Sequence, residues 1–92
     1  MEKKVKTIVS HKVSDYNAWR AVFDQLEPIR KAAGELEHEV ATSIEDPNYV
    51  YVINEWASLD AAKAWFSKPE LKAGMQKAGV IGAPNFTYLS DK

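Results

Sequence analysis

Apolar and polar positions alternate from Val5 to Val13: Val5, Thr7, Val9, His11 and Val13 fall on one side, with Lys6, Ser10 and Lys12 opposite. That two-residue period predicts a strand with one buried face. Ser14 offers an N-cap oxygen and Asp15 places negative charge at a helix start. The period then lengthens. Tyr16, Trp19, Val22, Phe23, Leu26, Ile29 and Ala33 recur at three- and four-residue spacing, the stripe of an amphipathic helix. Pro28 has no N–H to donate, so the helix should kink or restart at Glu27, and Gly34 should end it. Leu36, His38, Val40, Thr42 and Ile44 alternate with acids at 37, 39 and 45 as a second strand, and Glu45-Asp-Pro-Asn48 has turn chemistry. Tyr49 to Trp56 follows as a third strand, apolar on both sides and therefore central. Ser58 caps the next helix and Asp60 enters its first turn, while Lys68-Pro69 breaks it. Leu71, Met75 and Ala78 share a side of the following helix, which Gly79 closes. Residues 79–85 read as a loop and Phe86 to Leu89 as a short last strand.

The order β-α-β-β-α-β, with a broken second helix, predicts an α+β, ferredoxin-like fold: a four-stranded antiparallel sheet with its helices on one face. The uncovered face should keep apolar residues drawn from Tyr49, Tyr51, Ile53, Phe86 and Tyr88. A patch of that kind calls for a partner surface, and the expectation is a homodimer packed sheet to sheet.

Composition narrows the functional classes. Ninety-two residues suit a single domain, 1–92, because two separate cores would each be too small. With 46% hydrophobic and 27% charged residues the chain is ordinary globular protein rather than disordered. Twelve basic residues against thirteen acids, scattered along the chain, leave no basic stripe for nucleic acid. No run approaches the roughly 20 apolar residues of a membrane span, and the N-terminus lacks a signal-peptide core. Cysteine is absent, which removes disulfides and thiolate metal sites; the expected location is cytoplasmic. Two histidines 27 positions apart predict no metal centre.

The segment Glu45 to Met75, EDPNYVYVINEWASLDAAKAWFSKPELKAGM, resembles the antibiotic biosynthesis monooxygenases, a family of dimeric α+β barrels. It shares an Asp-Pro hairpin turn, a strand ending in Glu and Trp, then Ser, a helix and a Ser/Pro break. HKVSDYNAWRAVF, at 11–23, fits the first half of the same pattern. The resemblance implies a cofactor-independent oxygenase of quinol-like aromatics, a haem-degrading monooxygenase, or one of the family's many members with no demonstrated activity. Many relatives keep a histidine nine residues after the strand-end tryptophan, where this chain has Trp65. The haem-degrading branch tends to carry an aromatic there and presses a tryptophan matching Trp56 on the haem. Its axial histidine corresponds to Met75, and its first-strand asparagine falls near His11.

Five residues are thus candidates. His11, a titratable ring on an apolar strand face, is the candidate catalytic base. Trp56, Trp65, Met75 and Asn54 are candidate ligand-binding residues, the tryptophans as stacking walls. Each also has an ordinary reading as core packing, with Met75 as a gap-filler. Three functional readings follow: a homodimeric binder of a flat aromatic or quinone-like molecule that works as an oxygenase without cofactor; a haem protein; and a non-enzymatic ligand-binding or structural dimer.

Overall fold

The computed structural model describes residues 3–90. Its elements run β1 (Val5–Val13), α1 (Tyr16–Gln25), α2 (Glu27–Ala33), β2 (Glu35–Thr42), β3 (Tyr49–Trp56), α3 (Leu59–Phe66), α4 (Pro69–Lys77) and β4 (Val80–Ser90). The four strands form one sheet in the order β2-β3-β1-β4, with every pair antiparallel. This is the expected α+β, ferredoxin-like arrangement, with each helix divided in two.

Alternation places the core where the sequence puts it. Thr7, Val9, His11 and Val13 of β1 are buried, and their register brings them beside Asn54, Val52 and Val50 of β3 on the helical face. The helix breaks fall at the prolines. Leu26 separates α1 from α2, and Pro69 stands at the start of α4. Ser58 caps α3, its hydroxyl accepting from the Ala61 N–H at 3.1 Å. Gly34 closes α2 at φ 115°, a conformation costly for any residue with a Cβ. Its carbonyl accepts from the Ala57 N–H, which joins the end of α2 to the end of β3.

Five local expectations are corrected. Asp15, rather than Ser14, caps α1: its extended backbone lets the carboxylate accept from the Ala18 N–H at 3.0 Å. The Ser14 N–H instead bonds the Gly79 carbonyl across to the α4–β4 junction. Ile29 and Arg30 both follow Leu26 at helical spacing, and it is Arg30 that continues the side of Trp19 and Phe23: Ile29 is 40% exposed and Arg30 is buried. A register shift between Glu35 and Glu37 likewise rotates β2, burying Glu35 and turning Leu36 outward; Ile44 lies beyond the strand and is fully exposed. β4 starts at Val80, not Phe86, because residues 80 and 81 already pair with Val13 and Lys12.

The fifth correction concerns the outer face. Phe86 and Tyr88 pair with Val9 and Thr7, and so share the helical side, where both rings pack against Phe66. They are exposed because β4 is an edge strand that the helices only partly cover. The outer face itself carries Ile8, Tyr49, Tyr51 and Ile53.

The buried apolar residues form two clusters. One gathers Val9, Val13, Trp19, Phe23, Val50 and Val52 beneath α1; the other is Trp56, Ala62 and Trp65 beneath α3. Between them the polar side chains of His11, Arg30 and Asn54 enter the interior.

Candidate functional site

A cavity of about 50 Å³ sits at the seam between the two clusters. β1 supplies His11, β3 supplies Asn54, and α2 supplies Arg30. Aromatic walls come from Trp19 and Phe23 of α1 and from Trp65 and Phe66 of α3, and α4 closes the remaining side with Leu71, Gly74 and Met75. Gly74 permits the close approach of α4, since a Cβ there would sit 2.9 Å from Leu26 Cδ1. No residue of α4 is fully buried, so this wall is the least anchored of the four helices.

His11 is 4% exposed, and neither ring nitrogen has a hydrogen-bond partner. Its imidazole lies 5.8 Å from the Trp19 ring. Burial disfavours the imidazolium and moves the pKa below the ordinary 6.5, so the ring is a neutral proton acceptor at pH 7. An unpaired polar group in such surroundings costs on the order of 1–3 kcal/mol. That is a large price for a residue that packing alone could replace with an apolar one.

A buried polar network adjoins it. Arg30 Nε donates to Glu35 Oε2 at 3.0 Å and Nη1 donates to the Phe23 carbonyl at 2.6 Å, while Nη2 has no partner. Asn54 Nδ2 donates to the same Glu35 oxygen at 2.6 Å. His38 Nδ1 lies 3.2 Å from Glu35 Oε1, and its Nε2 lies 3.7 Å from Glu27. His38 therefore belongs to the helical side, edge-on to Phe23. The guanidinium stacks over the Phe23 ring at 3.7 Å from its centroid. Burial pulls the Arg30 pKa below the usual guanidinium value, while Glu35, with Glu27 and Asp24, acts to hold it up. The group stays charged.

The structure thus gathers four of the five candidates, His11, Asn54, Trp65 and Met75, around one cavity. Trp56 is not in its wall. That residue is wholly buried behind Trp65, ring centroids 6.3 Å apart, and its indole N–H donates to Thr7 Oγ1 at 2.9 Å. Trp65 is a wall that also fills space: it is 2% exposed, and the cavity beside it has the volume of a few waters, not of an aromatic ring system. Pockets for ligands of drug size run to roughly 300–1,000 Å³. Haem is poorly matched to this set, because the cavity is too small for the macrocycle and Trp56, its strongest point of resemblance, lies outside the wall. Among the described residues no group of three His, Asp or Glu side chains could hold a metal ion.

Arg30 and Glu35 escaped the sequence reading. A signal was present: Phe23, Leu26 and Arg30 continue one helical stripe at three- and four-residue spacing, with a cation at an apolar position and an acid five residues later.

The sequence profile of the antibiotic biosynthesis monooxygenases matches residues 13–77. The chain belongs to that family. A search of curated proteins by sequence returned no match. Among solved structures, the chain is similar to a protein from Bordetella bronchiseptica assigned to the antibiotic biosynthesis monooxygenases, with TM-score 0.80, 15% identity and 99% of both chains covered. It is similar to a second protein so assigned, from Caulobacter crescentus, with TM-score 0.79 and 24% identity over 99% of this chain and 92% of the other. SnoaB, a cofactor-independent oxygenase from Streptomyces nogalater, matches at TM-score 0.79 and 14% identity, covering 98% and 94%. At these identities the family's structural members share the fold; the chemistry must be argued from the side chains. No helix among the described residues is long and apolar enough to cross a membrane.

Proposed function

We propose that this family member binds a flat phenolic or quinol-like aromatic and oxygenates it without a cofactor, with His11 as the base. One observation carries the reading: a buried, neutral imidazole with both nitrogens unpaired, on the wall of an aromatic-lined cavity. Its support from the comparisons is the family itself and the likeness in fold to a cofactor-independent oxygenase.

The chemistry needs no electron carrier. His11 takes the hydroxyl proton of the substrate, and the phenolate charge spreads onto the ring carbon para to the oxygen. That carbon gives one electron to O2, and recombination of the radical pair forms a C–O bond to a peroxide. The imidazolium returns its proton to the distal oxygen. Loss of the ring hydrogen as a proton then breaks the O–O bond, so phenol plus O2 becomes quinone plus water. Trp65 and Phe66 stack the ring and exclude bulk water. Room for it comes from outward movement of α4, carrying Leu71 and Met75. Asn54, held by Glu35, orients the polar edge of the substrate.

Two chains should assemble through the outer sheet face, where Ile8, Tyr51 and Ile53 form an apolar patch. The test of function is oxygen uptake with a panel of naphthols and anthrone-type phenols that keep a hydrogen para to the hydroxyl, using wild type and His11→Ala. Wild type should turn over at least one of them, and loss of the base should slow it about 10²–10⁴-fold. No turnover, together with unchanged binding in His11→Ala, refutes the proposal.

The small cavity favours a second reading, a ligand-binding dimer without catalysis. Saturable binding of the same aromatics with no oxygen uptake would select it.

A further inference from the structure

The Arg30 guanidinium is immobilised on three sides. Glu35 of β2 holds Nε, the Phe23 carbonyl of α1 holds Nη1, and the Phe23 ring lies beneath the plane. The residue is 2% exposed, lines the same cavity as His11, and keeps Nη2 without a partner. A carboxylate takes an arginine by a two-nitrogen fork. Here two nitrogens are already committed, so one remains for a single-oxygen acceptor.

Transfer of a phenolic proton to the neutral imidazole creates a single anionic oxygen. We propose that Arg30 is the oxyanion holder of this site: Nη2 donates to the phenolate oxygen of the ligand, so that the cavity selects ionisable phenols over neutral aromatics. The inference rests on the phenol-oxygenase reading above and assigns the substrate class within it. In this step the proton passes from the phenol oxygen to His11, the O–H bond breaks, and no electron moves. Glu35 opposes the charge of Arg30, but its carboxylate is occupied by Arg30, by Asn54 and, on its other oxygen, by His38. Glu27 and Asp24 stand farther off. Nη2 is therefore the one guanidinium nitrogen still without an acceptor, in a water-poor site where such bonds count most.

The test uses 4-nitrophenol, a one-ring probe whose phenolate absorbs visibly. Bound to wild type it should ionise about one pH unit lower than free, corresponding to about tenfold tighter binding of the anion. The His11→Phe variant should retain a downward shift, which separates the donor from the base. Arg30→Met combined with Glu35→Gln, a charge-balanced pair that leaves Asn54 an acceptor, should abolish it; Arg30→Lys should retain only part and serves if the pair does not fold. An unshifted ionisation of bound nitrophenol in wild type, or a shift undiminished in the Arg30 variants, overturns the oxyanion assignment and leaves the aromatic site standing. Absence of any binding overturns both.

Discussion

His11 and Arg30 stand in one apolar cavity, and burial weakens the charge of each; only Arg30 has an acid against it. His11 has no compensating partner, so its folded-state pKa lies below 6.5 and the unfolded chain binds the proton more readily. The sign follows. Its contribution to stability is complete above pH 6.5 and is lost as pH falls from there toward the folded pKa. The thermal midpoint should therefore drop on acidification below pH 6.5, and His11→Phe should flatten that part of the curve; an identical slope in the variant would show that other groups carry it. The same shift keeps the base neutral, so turnover should persist at pH values where a free imidazole would already be charged. Trp56 offers the contrasting case. Trp56→Phe leaves Thr7 Oγ1 without its donor and should cost on the order of 1–3 kcal/mol, seen as a midpoint several degrees lower. Affinity for aromatics should hardly change, whereas Trp65→Phe should alter it. Equal effects on affinity would place Trp56 in the site after all.

At the scale of elements, α4 differs from its neighbours. It has no side-chain cap and no fully buried residue, and it reaches the body of the protein through Leu71, Gly74 and Met75 at the cavity rim. Few buried contacts mean a low free energy of local opening. Amide exchange along α4 should accordingly be faster than in α1 or α3, and an aromatic ligand should slow it. Protection in α4 equal to that in α3 would leave no route for a ring to enter. The sequence located this helix well: Pro69 fixed its start and the Leu71, Met75, Ala78 spacing its inner side. It was less informative for α2 and β2. There Ile29 and Arg30 both suited the spacing after Leu26, and β2 was rotated by the register shift after Glu35; docking, not local periodicity, chose between them. That is why Ile29 and Leu36 were expected inside, and why Arg30 and Glu35 were missed.

For the whole molecule, the second sheet face is the surface that no described element covers. Four helices lie on one side, and Ile8, Tyr51 and Ile53 remain on the other. Sedimentation should give a dimer, and Ile53→Glu, which buries a charge in the proposed interface, should shift it to monomer while preserving far-UV dichroism. A wild-type monomer at micromolar concentration would remove the sheet-to-sheet assembly. Residue periodicity, prolines and capping residues alone determined the strand and helix order, and with it the fold, because each acts within a few residues of chain. They also marked His11 as a titratable ring on a buried face. Tertiary structure alone decided the site. Docking α2 against β2 and β3 joined Arg30 to Glu35 and Asn54, residues up to 24 positions apart in sequence. It also put Trp65 on the cavity wall and Trp56 behind it, a distinction between two tryptophans that no local pattern encodes.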